Sequence, residues 1–309
     1  MRQAKSWVHA QLNLFIPQQV YDMRTSPGSA AAAGVLRNRY KKSAVAADVP
    51  SLLTIAGSDS GGCAGVQADL KTFAAFGLHG VNVITAVTAQ NTRDVLSIHR
   101  VPVKQVEQQL LAVFADFDIA AVKIGMLGSA ATIGAVASFL RKRCRAPIVL
   151  DPVLISSSGS RLLPARALGV LREELLPLAE MLTPNEPEAA ALLGRSLTTP
   201  EELRKAACDL LGLGAKSILL KGGHHDGDPV CDYLVDATGT HTFRHVRLPI
   251  LARGTGCVLS AAIAAGLAQG RTRVAAVRAA ERYLQTALRG AYRAGKSALR
   301  ALPARADDK

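Results

Sequence analysis

Ser51-Leu-Leu-Thr-Ile-Ala56, running into Gly57-Ser-Asp-Ser-Gly-Gly-Cys-Ala-Gly65, is the stretch on which the fold turns. The first six residues form a short apolar run of strand type. The nine that follow carry four glycines and predict a turn, with a helix leaving it at about Val66–Phe76. A strand that feeds a helix through a glycine-rich turn opens a parallel α/β unit.

Working outward, the alternation repeats. Val81–Ala89 is strand-like, and Pro102 opens a helix with Val103, Val106, Leu110 and Val113 at helical spacing. Ile119–Ile124 predicts a strand, the region near Ala130–Lys142 a helix, and Ile148–Leu150 a short buried strand ending in Asp151. Met181–Leu182 leads into Thr183-Pro-Asn185, then helices near Pro187–Leu193 and Pro200–Leu213. Ser217–Leu220 is a strand ending in Lys221-Gly-Gly223. Asp232–Asp236 and His241–Arg247 predict an edge hairpin through Thr238-Gly239, and helices near Thr255–Ala268 and Arg273–Arg293 close the pattern. This is an α/β fold with a mainly parallel central sheet, covered on both faces, and a small edge hairpin. Such sheets bind ligands beyond the carboxyl ends of their strands. Asp59, Gln90, Asn91, Lys123, Asp151, Asn185, Glu188 and Lys221 are therefore the polar residues to weigh.

Composition narrows the classes. Of 309 residues, 49% are hydrophobic and 20% charged, which excludes wholesale disorder, and 4% aromatic argues against an aromatic-rich sandwich. The net charge of +13 sits at the ends: residues 1–48 hold seven Lys/Arg against two acids, and 271–309 hold ten against three. Between them the balance is near zero, with no basic stripe, so nucleic acid is not an indicated partner. Cys63, Cys144, Cys208, Cys231 and Cys257 form no CxxC pair or zinc pattern and suit reduced thiols in the cytoplasm. The longest apolar run, Ile124–Leu140, is broken by Gly, Ser and Thr and falls short of a membrane span, and no secretory signal is seen. Residues 1–49 are expected as a disordered N-terminal extension, with a transit-type leader or an internal start at Met23 as alternatives. Residues 50–295 are expected as one domain, and 296–309 as a flexible C-terminal tail.

The sharpest chemical segment is Arg253-Gly-Thr-Gly-Cys-Val-Leu-Ser260. Two glycines separated by one residue lead into an Ala-rich helix, whose first amides would suit a phosphate or a developing oxyanion. An ordinary turn with Thr255 as N-cap is the alternative. There is no GxxxxGK[ST] loop, and the first turn departs from GxGxxG spacing.

The run Leu53–Phe73 closely resembles the start of bacterial hydroxymethylpyrimidine/phosphomethylpyrimidine kinases of thiamine biosynthesis, a ribokinase-like family. The resemblance continues in order through Val83–Thr92, Lys123–Leu127, Val149–Val153, Thr183–Ala189, Lys221–His224 and Gly254–Cys257. It implies a three-layer α/β/α ribokinase-like domain that phosphorylates a hydroxymethyl pyrimidine and then its monophosphate, using ATP and Mg²⁺, as a homodimer. In that reading Gly254, Thr255 and Gly256 form an anion hole, and Cys257, with a thiol pKa lowered by the helix end, takes the alcohol proton. Lys221, Asn185 and Glu188 would attend the ATP phosphates, with Asp151 and Glu188 organising Mg²⁺. Gln90, Asp69, Met126 and Val153 would hold the pyrimidine, and Gly65 would let backbone approach it.

Plainer readings stand beside these: Cys257, Met126 and Val153 as core, Lys221 as a surface charge, Asn185 as a helix cap. Three departures from the family pattern matter. Pro249-Ile-Leu-Ala-Arg253 replaces a polar segment ending in His, Val258 replaces Thr, and Cys63 replaces Gly. A pyridoxal-type kinase, or a pyrimidine-binding regulator with weak turnover, are the competing functions.

Overall fold

Successive side chains of a strand face opposite ways, and in β1 (Ser51–Asp59) both directions are buried. Leu53 and Ile55 join one core and Leu52 the other, as expected of a central strand covered on both faces. The computed structural model describes residues 49–154, 162–223 and 229–304. The expected extension over residues 1–49 lies outside them, save for Val49.

Around β1 stand β2 (His79–Gln90), β3 (Val95–Arg100), β4 (Ile119–Ile124), β5 (Ile148–Leu150), β6 (Met181–Leu182), β7 (Ser217–Leu220), β8 (Val230–Asp236) and β9 (Gly239–His245). They form one sheet in the order β3-β2-β1-β4-β5-β6-β7-β8-β9. β2, β1, β4, β5, β6 and β7 are parallel; at one edge β3 pairs antiparallel with β2, and at the other β8 pairs antiparallel with β7 and β9 with β8.

Helices α1 (Gly65–Ala75), α6 (Thr255–Ala268) and α7 (Arg273–Arg289) cover one face, over Leu52, Ala121, Val149, Met181 and Leu219. On the other face lie α2 (Val103–Asp116), α3 (Ala130–Arg143), short helical turns over 165–178, α4 (Glu186–Leu193) and α5 (Pro200–Leu211). The three-layer arrangement matches the sequence expectation, as does the β8–β9 edge hairpin.

The strand β3 was not expected. Leu96 is 72% exposed on it, so β3 lacks the buried alternate residues that mark a strand in sequence. The boundary expected at 295 also moves. Arg300 donates to the Leu251 carbonyl at 2.8 Å and accepts from the Arg253 amide at 3.0 Å, while Ala301 pairs with Tyr292. Ala301 and Leu302 are buried, so residues 299–302 are anchored to the domain rather than loose. Residues 305–309 lie outside the described residues.

Candidate active site

The carboxyl ends of β1, β2, β4, β5, β6 and β7 surround one cavity of about 560 Å³. α6 begins on its wall. Gly254 precedes that helix at φ +76°, in the left-handed region, and a Cβ there would overlap the Cys63 carbonyl. Only glycine lets the chain turn so sharply against the first glycine-rich loop. Thr255 is the first helical residue, not the N-cap, and no side chain caps this end. Its amides are thus available to a ligand. Thr255, Gly256 and Cys257 all line the cavity, and a Cβ on Gly256 would come 3.4 Å from Lys221 Nζ and 3.6 Å from Asp151 Oδ2.

Lys221, Asp151 and Glu188 form one charged group. Lys221 Nζ donates to Asp151 Oδ1 at 3.2 Å and lies 4.0 Å from Glu188 Oε2. Thr183 Oγ1 and Ser260 Oγ also donate to Asp151, at 3.3 and 3.4 Å. Burial opposes the Lys221 charge, but Asp151 and Glu188 outweigh it and hold its pKa above the ordinary value. Burial pushes Glu188 up to about 7, against the pull of Lys221 and with the added repulsion of Asp151.

Asn185 caps α4: its side-chain oxygen accepts the Glu188 amide at 2.9 Å, and Glu188 Oε2 accepts the Asn185 amide at 2.8 Å. This reciprocal box aims Glu188 at the cavity, which both residues line. Two carboxylates against one ammonium leave surplus negative charge on hard oxygen donors. The Asp151–Glu188 pair is therefore chemically suited to Mg²⁺.

On the opposite side Gln90 ends β2, its Oε1 accepting from Thr88 at 3.2 Å. Met126 and Val153 pack with Ala86, Ile98 and Leu162 as an apolar wall. Gly65, at φ +58°, also lines the cavity.

Asp69 does not line the cavity, and this corrects its expected place against the pyrimidine. It lies fully buried on α1, accepting from Thr54 Oγ1 at 2.6 Å and from Lys123 Nζ at 2.9 Å. A carboxylate on the core-facing side of α1 needs a cation there. Lys123 is that cation and itself reaches the cavity. Burial opposes its charge, but Asp69 more than compensates and raises its pKa.

A second correction concerns Cys257. The helix end was expected to lower its thiol pKa, but burial pushes it up to about 11. Lys123 and the Gly65 amide pull it down, while Asp69 and Asp151 add to the rise. The thiol is neutral at neutral pH.

Three residues that the sequence singles out without assigning a role prove to shape the site. Lys123 stood as a charge inside Val122–Ile124, which was a usable signal. Asp59 organises the first turn by accepting the amides of Gly61, Cys63 and Ala64 at 2.7, 3.0 and 2.9 Å. Arg253, noted as a departure, turns out buried in the cavity wall.

An adjoining cavity of about 240 Å³ shares Asn185, Lys221, Thr255 and Gly256. Asp232, His245 and Glu281 lie on it with ligand-type atoms within 4.8 Å of one another. Burial, then Asp232, push Glu281 up to about 8 against Arg278.

An uncapped helix mouth, a buried ammonium and paired carboxylates around one cavity at the carboxyl edge of a parallel sheet define a ribokinase-like phosphotransferase. The phosphomethylpyrimidine kinase family profile matches residues 59–301. The hydroxymethylpyrimidine/phosphomethylpyrimidine kinase of Rhizobium meliloti is 48% identical over 248 residues, 78% of this chain and 91% of that protein. The thiamine biosynthesis bifunctional protein of Geobacter sulfurreducens is 47% identical over 247 residues, covering 80% of this chain. The chain spans 50% of that bifunctional relative's length. Among solved structures, phosphomethylpyrimidine kinase from Clostridium difficile 630 aligns with TM-score 0.69 and 39% identity, covering 77% of this chain and 98% of its own. Pyridoxal kinase from Staphylococcus aureus, in complex with AMP-PCP and pyridoxal, aligns with TM-score 0.77 at 27% identity, covering 85% and 96%. The chain belongs to the phosphomethylpyrimidine kinase family. Among the described residues, no helix is long and apolar enough to cross a membrane.

Proposed function

We propose that this chain transfers the γ-phosphoryl group of ATP to hydroxymethylpyrimidine and then to the resulting monophosphate, in thiamine biosynthesis. The observation that carries this reading is the opening of α6 between Gln90 and the Lys221–Asp151 pair, in a single cavity. Gln90 matches the donor–acceptor edge of an aminopyrimidine, and Met126 and Val153 flank its ring. Lys221 attracts the β/γ-phosphates, and the adjoining 240 Å³ cavity supports binding of the nucleoside. Mg²⁺ held by Asp151 and Glu188 would neutralise phosphate charge.

The alcohol oxygen attacks the γ-phosphorus, the bond to the β–γ bridging oxygen breaks, and ADP leaves. Charge spreads over the travelling phosphoryl oxygens, which the fixed amides of Thr255, Gly256 and Cys257 stabilise. The raised thiol pKa supports Cys257 as a neutral contact for the alcohol rather than a standing thiolate. The alcohol proton then leaves late, to a phosphoryl oxygen, as a loose transition state permits.

The catalytic domain in this reading is residues 50–302. Val87 and Leu96, exposed on the β2–β3 edge, support a homodimer, and the unpaired cysteines support a reducing cytoplasm.

The test is ADP release under saturating Mg-ATP with hydroxymethylpyrimidine, its monophosphate and pyridoxal side by side. Turnover of both pyrimidines ahead of pyridoxal is expected. Turnover of pyridoxal alone would replace this reading, and tight pyrimidine binding without a single turnover would indicate a regulator.

A further inference from the structure

Arg253 is 2% exposed, yet it lines the main cavity. A guanidinium stays charged at every working pH, and burying one without an anion is costly. Among the described residues its side chain makes one hydrogen bond, from Nη1 to the Asn91 carbonyl at 2.7 Å, and no ion pair. Asp59, also on the cavity, is turned instead to the amides of Gly61, Cys63 and Ala64. The positive charge of Arg253 is thus held beside the helix mouth with donors to spare.

Its position selects between two phosphates. The carbonyl it binds belongs to the residue after Gln90, on the pyrimidine side. Lys221 and Asp151 face Gly256 on the other side of the same helix end. The backbone of Arg253 is pinned by its amide bond to the Arg300 carbonyl at 3.0 Å, so the side chain leaves a fixed point.

We infer that Arg253 is a binding residue for the phosphomonoester already present on the substrate of the second transfer. The inference rests on the kinase reading and deepens it. In that step a phosphate oxygen of the monophosphate attacks the γ-phosphorus of ATP. The bond to the β–γ bridging oxygen breaks, ADP leaves, and the ionised nucleophile has no proton to lose. The guanidinium holds the other oxygens of that phosphate and lessens its repulsion from the nucleotide.

The experiment compares kcat/KM for hydroxymethylpyrimidine and for its monophosphate at saturating Mg-ATP, in the full chain and in Arg253→Gln, Arg253→Met and Arg253→Lys. Thermal melts run alongside. In Gln and Met the preference for monophosphate over alcohol falls by about tenfold to a hundredfold, the scale of a lost charge-assisted bond. Lys recovers part of it through charge without the fork. Calorimetric binding of the monophosphate weakens in the same order, and binding of the alcohol weakens less. A preference that holds within about threefold in whichever of Gln and Met folds overturns the inference. So does a rise in the KM for ATP alone. If the unaltered chain phosphorylates neither pyrimidine, the kinase reading falls. If it phosphorylates both with its preference independent of residue 253, only the role of Arg253 falls.

Discussion

Replacing Gly254 by alanine separates two costs that usually arrive together. The first is conformational: φ +76° lies in the left-handed region, where an L side chain loses about 1–2 kcal/mol. The second is steric, because the new Cβ would overlap the Cys63 carbonyl. Either the Cys63 loop withdraws or α6 does, and the amides of Thr255–Cys257 move with it. A displacement of about 1 Å is enough to reduce turnover about 10²-fold. Loss of one oxyanion donor costs about 10²–10³-fold. Gly77→Ala is the matched control, since Gly77 has φ +71° but a Cβ there meets nothing within 4 Å. Both variants should lose stability, by about 2–8 °C in Tm for a domain of this size. Only Gly254→Ala should also lose kcat, by about a hundredfold, in a coupled ADP assay with hydroxymethylpyrimidine and Mg-ATP. A folded Gly254→Ala protein whose kcat falls no further than that of Gly77→Ala would refute the helix mouth as the phosphoryl site.

Other expectations follow the same geometry. Gln90→Ala should raise the KM for pyrimidine by about tenfold and leave that for ATP nearly unchanged, an effect of about 1–2 kcal/mol readable by steady-state kinetics. Lys123→Met strands Asp69 in the core and should destabilise the protein by about 3–5 kcal/mol in urea unfolding, with Lys123→Met/Asp69→Asn partly restored. With the Cys257 thiol near 11, the first transfer should show no inflection from Cys257 between pH 7 and 9. A tenfold rise per pH unit across that range, absent in Cys257→Ala, would restore the thiolate base. Glu281 holds its proton more tightly folded, near pH 8, than unfolded, so its ionisation weakens the fold progressively as pH rises from about 4.5 to about 8. Glu281→Gln should therefore raise Tm at pH 8.5 and change it little at pH 4.5, measured by calorimetry without ligand.

The central strands were legible because burial on both faces writes an unbroken apolar run, as in Leu52–Ala56 and Ile148–Leu150. β3 was not, since a solvated edge strand needs no such pattern. The cavity was legible where a polar residue follows a strand: Gln90, Asp151, Asn185 and Lys221 all reach it. Asp69 misled because sequence order on α1 does not reveal that a carboxylate is turned onto Lys123 beneath the turn. Cys257 misled in degree: a helix end pulls a thiol pKa down, but burial beside Asp69 and Asp151 pulls harder the other way. The depth of Arg253 could not be foreseen, since its cover comes from the loop after Gln90, 162 residues away in the chain.

The anchoring of Arg300 carries a consequence for truncation. Its two backbone bonds, to Leu251 and Arg253, fix the peptide that leads directly into Gly254. Nearly all residues of both cores precede Arg300, so they can pack without it, yet the phosphate loop would then lack the backbone it rests against. A chain cut before Arg300 loses both of these bonds, and the peptide leading into Gly254 is then left without its backbone partner.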